Sequence, residues 1–272
     1  MSVLEVPGAR LYYETQGSGS LLVLVPGANG DARVFSALAA HLASHYRVIT
    51  YDRRGFSRSA LTGTQDYAHR LQADADDVRR LIEHVGDEQA TVFGTSSGGV
   101  VALELFARHP AVVRVLVPHE PAALTLLPDA QQWLGFFSSM YELYRRSGIE
   151  LALKAFRERM FPPGDLPVMA RATANRELND LAHANVMYWF ERELRQYTTA
   201  RPGIETLTSV ADRIVPTAGQ QSRGYPAYRV SVELARKLGR PMAELPGGHV
   251  GYAVQPAEFA DAFVHAVDLD QA

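Results

Sequence analysis

Residues 92–100 read VFGTSSGGV. Val92 and Phe93 close a short apolar run that begins at Ala90, and Val100 opens a mostly apolar stretch that reaches His109 and is stopped by Pro110. The first run has the β-branched and aromatic content of a buried strand, and the second has the length and spacing of a helix. Two adjacent serines therefore stand at a strand-to-helix junction. A serine there can be held in a strained conformation that lifts its hydroxyl off the sheet, provided the residues two before and two after it are small. Centred on Ser96 the pattern is Gly94-Thr95-Ser96-Ser97-Gly98, whereas centred on Ser97 the preceding position is the β-branched Thr95. Ser96 is the candidate nucleophile. The competing reading is a small-residue turn without chemistry. A phosphate cradle fits less well, because the lysine of G-x-x-x-x-G-K-[ST] is missing and the glycines do not match G-x-G-x-x-G.

The chain around this junction has 272 residues, enough for one large domain with an insertion or for two small ones. Apolar residues make up 47% and charged residues 21%, an ordinary globular balance. A net charge of -3 carries no electrostatic footprint for nucleic acid. There is no cysteine, which excludes disulfides, thiolate catalysis and cysteine-zinc sites. The first ten residues lack a basic segment followed by an apolar one, and no apolar run approaches a membrane span. A cytoplasmic protein is the expectation.

Outward from the serines, strands and helices alternate. Residues 2–7 and 11–15 read as a strand pair around Gly8-Ala9, residues 21–25 as a continuous apolar strand ended by Pro26-Gly27, and residues 46–51 as another strand. Asp31 is placed to cap a helix reaching about Ser44, and residues 66–85 carry helical apolar spacing up to Gly86. A further strand is expected over 112–117. Fully apolar strands alternating with helices argue for a parallel sheet covered on both faces. From about Pro121 to Pro202 no strand is legible, and helices are expected over 131–146, 149–160, 167–180 and 181–197. Strand signals return at 204–210 and 242–245, with helices over 228–238 and 256–267.

In an open parallel sheet, chemistry gathers at the carboxyl ends of the strands. Of nine histidines, His249 alone lies in a glycine-rich loop, Pro246-Gly247-Gly248-His249, just past an expected strand. His41, His45, His84, His109 and His265 fall on helices or helix ends. Asp212 follows the strand expected at 204–210, so the chain order is Ser96, Asp212, His249. Glu120, after His119 at the end of the 112–117 strand, is a rival for the acid. Asp52 and Arg54 read as braces for their own loop.

With these residues in order, the chain resembles the α/β-hydrolase fold superfamily over almost its full length. The resemblance is carried by Val25-Pro26-Gly27, by Tyr51-Asp52-Arg53-Arg54-Gly55-Phe56-Ser57-Arg58-Ser59, by Gly94-Thr95-Ser96-Ser97-Gly98-Gly99, by Asp212-Arg213-Ile214-Val215-Pro216 and by Gly247-Gly248-His249. It implies a mostly parallel eight-stranded sheet wound on both faces by helices. Residues 1–120 and 203–272 would form the core, and 121–202 an all-helical cap inserted after the sixth strand. It also implies a catalytic triad of Ser96, Asp212 and His249, with an oxyanion hole made by the backbone N–H groups of Ala28 and Ser97. Asn29 could add a side-chain donor, although a plain turn residue between Gly27 and Gly30 is the simpler reading. The chain departs from the family at Pro26, where a histidine is usual, and at Ser57, where a glycine is usual.

A serine at the nucleophile position implies hydrolysis of a small to medium apolar carboxyl ester or lactone through an acyl-enzyme. C–C bond hydrolysis, perhydrolysis or lyase chemistry with the same triad, and a non-turnover receptor on the same fold, remain alternatives. No cluster of His, Asp and Glu has metal-ligand spacing, and neither a metal nor an organic cofactor is expected. The expected partner is a small apolar substrate. Residues 187–190, Met-Tyr-Trp-Phe, are too many consecutive bulky groups for one packing face. Trp189, Tyr188 and Phe137 are therefore candidates for a pocket lining. Arg192 and Arg195 alternate with Glu191 and Glu193 in the manner of a solvated face.

Overall fold

The computed structural model describes residues 2–86, 89–174 and 179–271. Its strands are β1 (Ser2–Val6), β2 (Ala9–Gln16), β3 (Leu21–Val25), β4 (Arg47–Tyr51), β5 (Ala60–Leu61), β6 (Ala90–Thr95), β7 (Val113–His119), β8 (Thr217–Gly219) and β9 (Ala243–Leu245). They form one sheet in the order β1-β2-β4-β3-β6-β7-β8-β9, with the two-residue β5 paired to β2. Pairing is parallel from β4 through β9 and antiparallel around β2.

The helices are α1 (Ser36–Leu42), α2 (Arg70–Val85), α3 (Ser97–Arg108), α4 (Ala130–Ser147), α5 (Ile149–Met160), α6 (Leu166–Ala174), α7 (Asn179–Arg192), α8 (Leu194–Thr198), α9 (Ile204–Thr208), α10 (Pro226–Leu238), α11 (Gly251–Val254) and α12 (Pro256–Gln271). The continuous apolar runs are explained by cover on both sides. Leu21, Val23 and Val25 of β3 pack into the core beneath α2 and α3, while Leu22 and Leu24 pack into the one beneath α1 and α12. Strand side chains alternate between faces, so only a strand buried on both reads as unbroken hydrophobicity. Among the described residues no helix is long and apolar enough to cross a membrane.

Two expectations change. The stretch 204–210 is not a strand. Residues Ile204–Thr208 form α9, with Leu207 fully buried and Ile204 and Val210 packed against the core. Apolar residues spaced by three suit a helical turn, and that spacing outweighs their β-branched chemistry. Asp31 caps a 3-10 turn, Ala32–Phe35, before α1 begins. Between β7 and β8 the described regular elements are helical, α4 to α9 with a 3-10 turn at each end. Of the helix expected over 167–180, residues 175–178 lie outside the described residues.

β3 is flanked by β4 on one side and β6 on the other, so the strand order reverses between β3 and β6. The loops that leave the carboxyl ends of these two strands diverge and open a crevice. Gly27 and Ala28 follow β3, and Ser96 follows β6.

Candidate active site

Ser96 has φ 54° and ψ -120°, a left-handed conformation that a side chain rarely adopts. The flanking glycines make the turn possible. A Cβ on Gly94 would lie 2.4 Å from the Gly98 carbonyl oxygen, and one on Gly98 would lie 2.3 Å from that of Val25. The turn is pinned by the neighbouring strand, where the Ser96 amide donates to the His119 carbonyl at 3.0 Å and the Ala122 amide donates to the Ser96 carbonyl at 3.0 Å. Ser97 opens α3, whose first amides carry the positive end of the helix dipole.

His249 is nearly sealed from solvent. Its Nδ1 lies 2.7 Å from Glu120 Oε2, and Glu120 Oε1 accepts the Gly219 N–H at 2.8 Å. An ionised carboxylate can only accept, so this contact assigns the ring proton to Nδ1 and leaves Nε2 as the basic nitrogen. Burial opposes ionisation of Glu120, but the hydrogen bond and charge of His249, with the Gly219 amide, hold its carboxyl below the usual range. Glu120 also has a positive φ, 44°. Beside it, burial pushes the His119 imidazole down to about 4 against the pull of Glu120.

The acid expected at Asp212 is not at this site. Asp212 is exposed on a 3-10 turn, Ala211–Arg213, that precedes β8. β8 runs parallel to β7, with Thr217 opposite His119, so Asp212 stands toward the amino ends of the strands. Four residues lie between it and Thr217, the first of them, Arg213, still within the turn. After β8 the chain continues Gln220-Gln221-Ser222, with no carboxylate. Glu120, at the carboxyl end of β7, occupies the place beside the histidine.

The helical segment reaches this site with apolar and acidic side chains. Ser96, Ser97, Glu120 and His249 line a cavity closed over by Phe137, Phe156, Met160, Phe161 and Trp189. It has about 20 Å³ of space for water, roughly one molecule. Phe161 lies against the His249 ring with 4.5 Å between centroids. Asp165 accepts the His249 backbone N–H at 2.7 Å, and burial raises its carboxyl above the usual range. Of the candidate lining residues, Trp189 and Phe137 border this cavity, whereas Tyr188 and Asn29 do not. The Tyr188 ring packs edge-on against Phe56, and its hydroxyl pairs with Arg70. Asn29 is half-buried in the turn closed by the Gly30 N–H to the Gly27 carbonyl. Glu193, expected on a solvated face, is buried and lines the cavity.

Ser57, at the position where a glycine is usual, has φ 45°. Its backbone is held there by the Asn185 side chain, which accepts the Ser57 N–H at 2.9 Å and donates to its hydroxyl at 2.8 Å. The Ser57 hydroxyl donates in turn to Asp31 at 2.7 Å.

A family profile of the alpha/beta hydrolase fold matches residues 20–252. The chain belongs to that family. Among curated α/β-hydrolase relatives, the "Uncharacterized hydrolase YraK" of Bacillus subtilis (strain 168) is 36% identical over 264 residues, covering 95% of this chain and 92% of the relative. The zearalenone hydrolase of Cladophialophora bantiana is 27% identical and covers 95% of this chain and 93% of its own. Among solved structures, a thermophilic esterase from Thermogutta terrifontis superimposes with a TM-score of 0.77 at 18% identity, over 100% of both chains. The protein is a hydrolase of the α/β-hydrolase fold.

Proposed function

We propose that the protein is a serine hydrolase that cleaves a small to medium, mostly apolar carboxyl ester or lactone through an acyl-enzyme. The observation that carries this reading is the His249–Glu120 contact beside a serine at positive φ, all three lining one cavity. Ser96 Oγ attacks the acyl carbon. His249 Nε2 takes its proton and returns it to the leaving alcohol, then activates water for deacylation. Glu120 keeps the imidazole in the Nδ1–H tautomer and stabilises the imidazolium. The amides of Ala28 and Ser97 receive the oxyanion, each contributing about 3 kcal/mol to the lowering of the barrier.

Residues 121–202 act as the cap of this core. Its aromatic lining favours an apolar acyl group, and a cavity of about 20 Å³ requires the cap to lift or its side chains to turn before a substrate enters. The test is labelling by a fluorophosphonate together with turnover of a panel of esters and lactones. Covalent labelling that maps to Ser96 and is lost in Ser96→Ala supports the reading. Absence of labelling in the wild type, or labelling unaffected by Ser96→Ala, sinks it.

A further inference from the structure

Arg53 is a large cation with no exposed surface. Its Nη2 donates to the backbone carbonyl of Gly27 at 2.8 Å and to Glu193 Oε2 at 2.7 Å. Its Nη1 donates to Glu193 Oε1 at 2.8 Å and to Asp74 Oδ2 at 3.1 Å. Glu193 belongs to the helical segment, at the junction of α7 and α8, and also accepts from Arg70 Nη2 at 2.8 Å. A two-pronged ion pair thus ties the helical segment to one carbonyl in the loop after β3.

That carbonyl matters because of what shares its peptide plane. A trans peptide is flat, and its C=O and N–H point in opposite directions. Fixing the Gly27 oxygen therefore fixes the direction of the Ala28 N–H. The Gly30 amide also donates to this oxygen, at 2.9 Å, so two donors hold the plane. Gly27 itself abuts the nucleophile, since a Cβ there would sit 3.1 Å from Ser96 Cβ. The Ala28 N–H makes no hydrogen bond among the described residues. Pro26 brings no polar side-chain group to this loop, and Arg53 does.

We infer that Arg53 is a positioning residue for the oxyanion hole: gripped by Glu193 of the helical segment, it holds the Gly27 carbonyl and so aims the Ala28 amide at the developing oxyanion. The inference rests on the serine-hydrolase reading above and adds a coupling to it. With the helical segment seated, Glu193 holds the fork and the amide is aimed. With the segment lifted, Arg53 loses that partner and the peptide plane is free to turn. The hole is then complete only over a bound substrate. Stability alone is a poor reason for such a cluster, because well-packed apolar groups often serve a buried site as well.

The test compares wild type, Arg53→Lys and Glu193→Gln on a matched ester and thionoester. Sulfur is a weak acceptor, so an enzyme that relies on the hole prefers the oxygen ester. Lysine cannot reach Gly27, Glu193 and Asp74 together. Each variant is expected to lose about 10- to 100-fold in kcat on the ester, with KM and the pH midpoint little changed. The preference for ester over thionoester should shrink by about tenfold. Asp77→Asn serves as control: it breaks an equally buried pair, Arg54 to Asp77 at 2.7 Å, that touches no catalytic loop. It should lower stability and leave the preference intact. An undiminished preference in folded Arg53→Lys overturns the inference, and if that variant fails to fold, Glu193→Gln decides in the same way. A wild type inert to fluorophosphonate and to both esters overturns the serine-hydrolase reading and this inference with it.

Discussion

Glu120 Oε2 and His249 Nδ1 lie 2.7 Å apart, joining the end of β7 to the loop after β9 across the intervening β8. The Gly219 amide at the end of β8 holds the other oxygen of the same carboxylate. Glu120→Gln keeps the shape but offers an amide where the imidazole needs an acceptor. It is expected to lower kcat on an ester by about 10³- to 10⁴-fold. Asp212→Asn, on an exposed turn, should stay within about twofold of wild type, well below the cost of losing a group that acts in the transition state. Steady-state kinetics of the two variants checks this, and the reverse ranking returns the acid to Asp212.

Ser96 stores backbone strain at φ 54°. Such a conformation costs about 1–3 kcal/mol in a residue with a side chain, and glycine escapes most of it. Ser96→Gly is therefore expected to be inactive yet more stable by about 1 kcal/mol, after the entropy lost on ordering a glycine. Urea denaturation at neutral pH reads the difference. A clear loss of stability would show that the serine side chain holds the turn together.

His119 should govern part of the acid sensitivity. Its folded value, about 4, lies below the ordinary 6.5, so in between the unfolded chain binds more protons. Stability therefore falls as pH drops through that window, by about 2 kcal/mol at pH 5 relative to neutrality. Glu120 acts in a lower range: its depressed value supplies stability that is fully present above the ordinary carboxylate range and is lost as pH falls from there through the folded value. His119→Gln is expected to flatten the slope between pH 4 and 6.5, measured as urea midpoints across that range. An unchanged slope would place the proton uptake elsewhere.

Trp189 is 5% exposed and faces the cavity, with its ring 5.1 Å from Phe156. Trp189→Phe removes volume from a space that holds about one water, at a cost of about 1–3 kcal/mol of stability. For a small apolar ester, KM should rise while kcat changes little, because binding uniform along the reaction has been removed. Bulkier acyl groups should be turned over better than by wild type. Equal KM values and an unchanged acyl range across an ester series would count against Trp189 as a lining residue.

The sheet, and two of the three residues that meet at the candidate site, could be picked out in the chain because their signals are local. Gly94 and Gly98 bracket Ser96, and Gly247-Gly248 precede His249, so steric need and sequence coincide. The acid had no such mark. Residues 204–210 look β-branched, and only the spacing of Ile204, Leu207 and Val210 betrays a helical turn. The strand that does lie there, β8, is Thr217–Gly219, too short and too small in its side chains to register as hydrophobic. What distinguishes Glu120, a positive φ and a neighbour far along the chain, is invisible to composition. The cluster of Arg53, Arg70, Asp74 and Glu193 was equally hidden. Its members are scattered along the chain, and alternating charge around Glu193 imitates a wet surface.

Ser96 is laced to the backbone on both sides of Glu120, through the His119 carbonyl and the Ala122 amide. Ser96 and Glu120, the proposed nucleophile and acid, are thus welded to one pair of adjacent strands, while His249, the proposed base, arrives on a separate loop held by Glu120, Asp165 and the face of Phe161. Wear in this molecule should begin at that loop. On gentle heating the imidazole should be the first piece to come adrift, so hydrolase activity should fade while the circular dichroism of the sheet is still intact. Cooling should restore it without refolding. A loss of activity that merely follows the melting curve would mean that the loop is fastened as firmly as the strands.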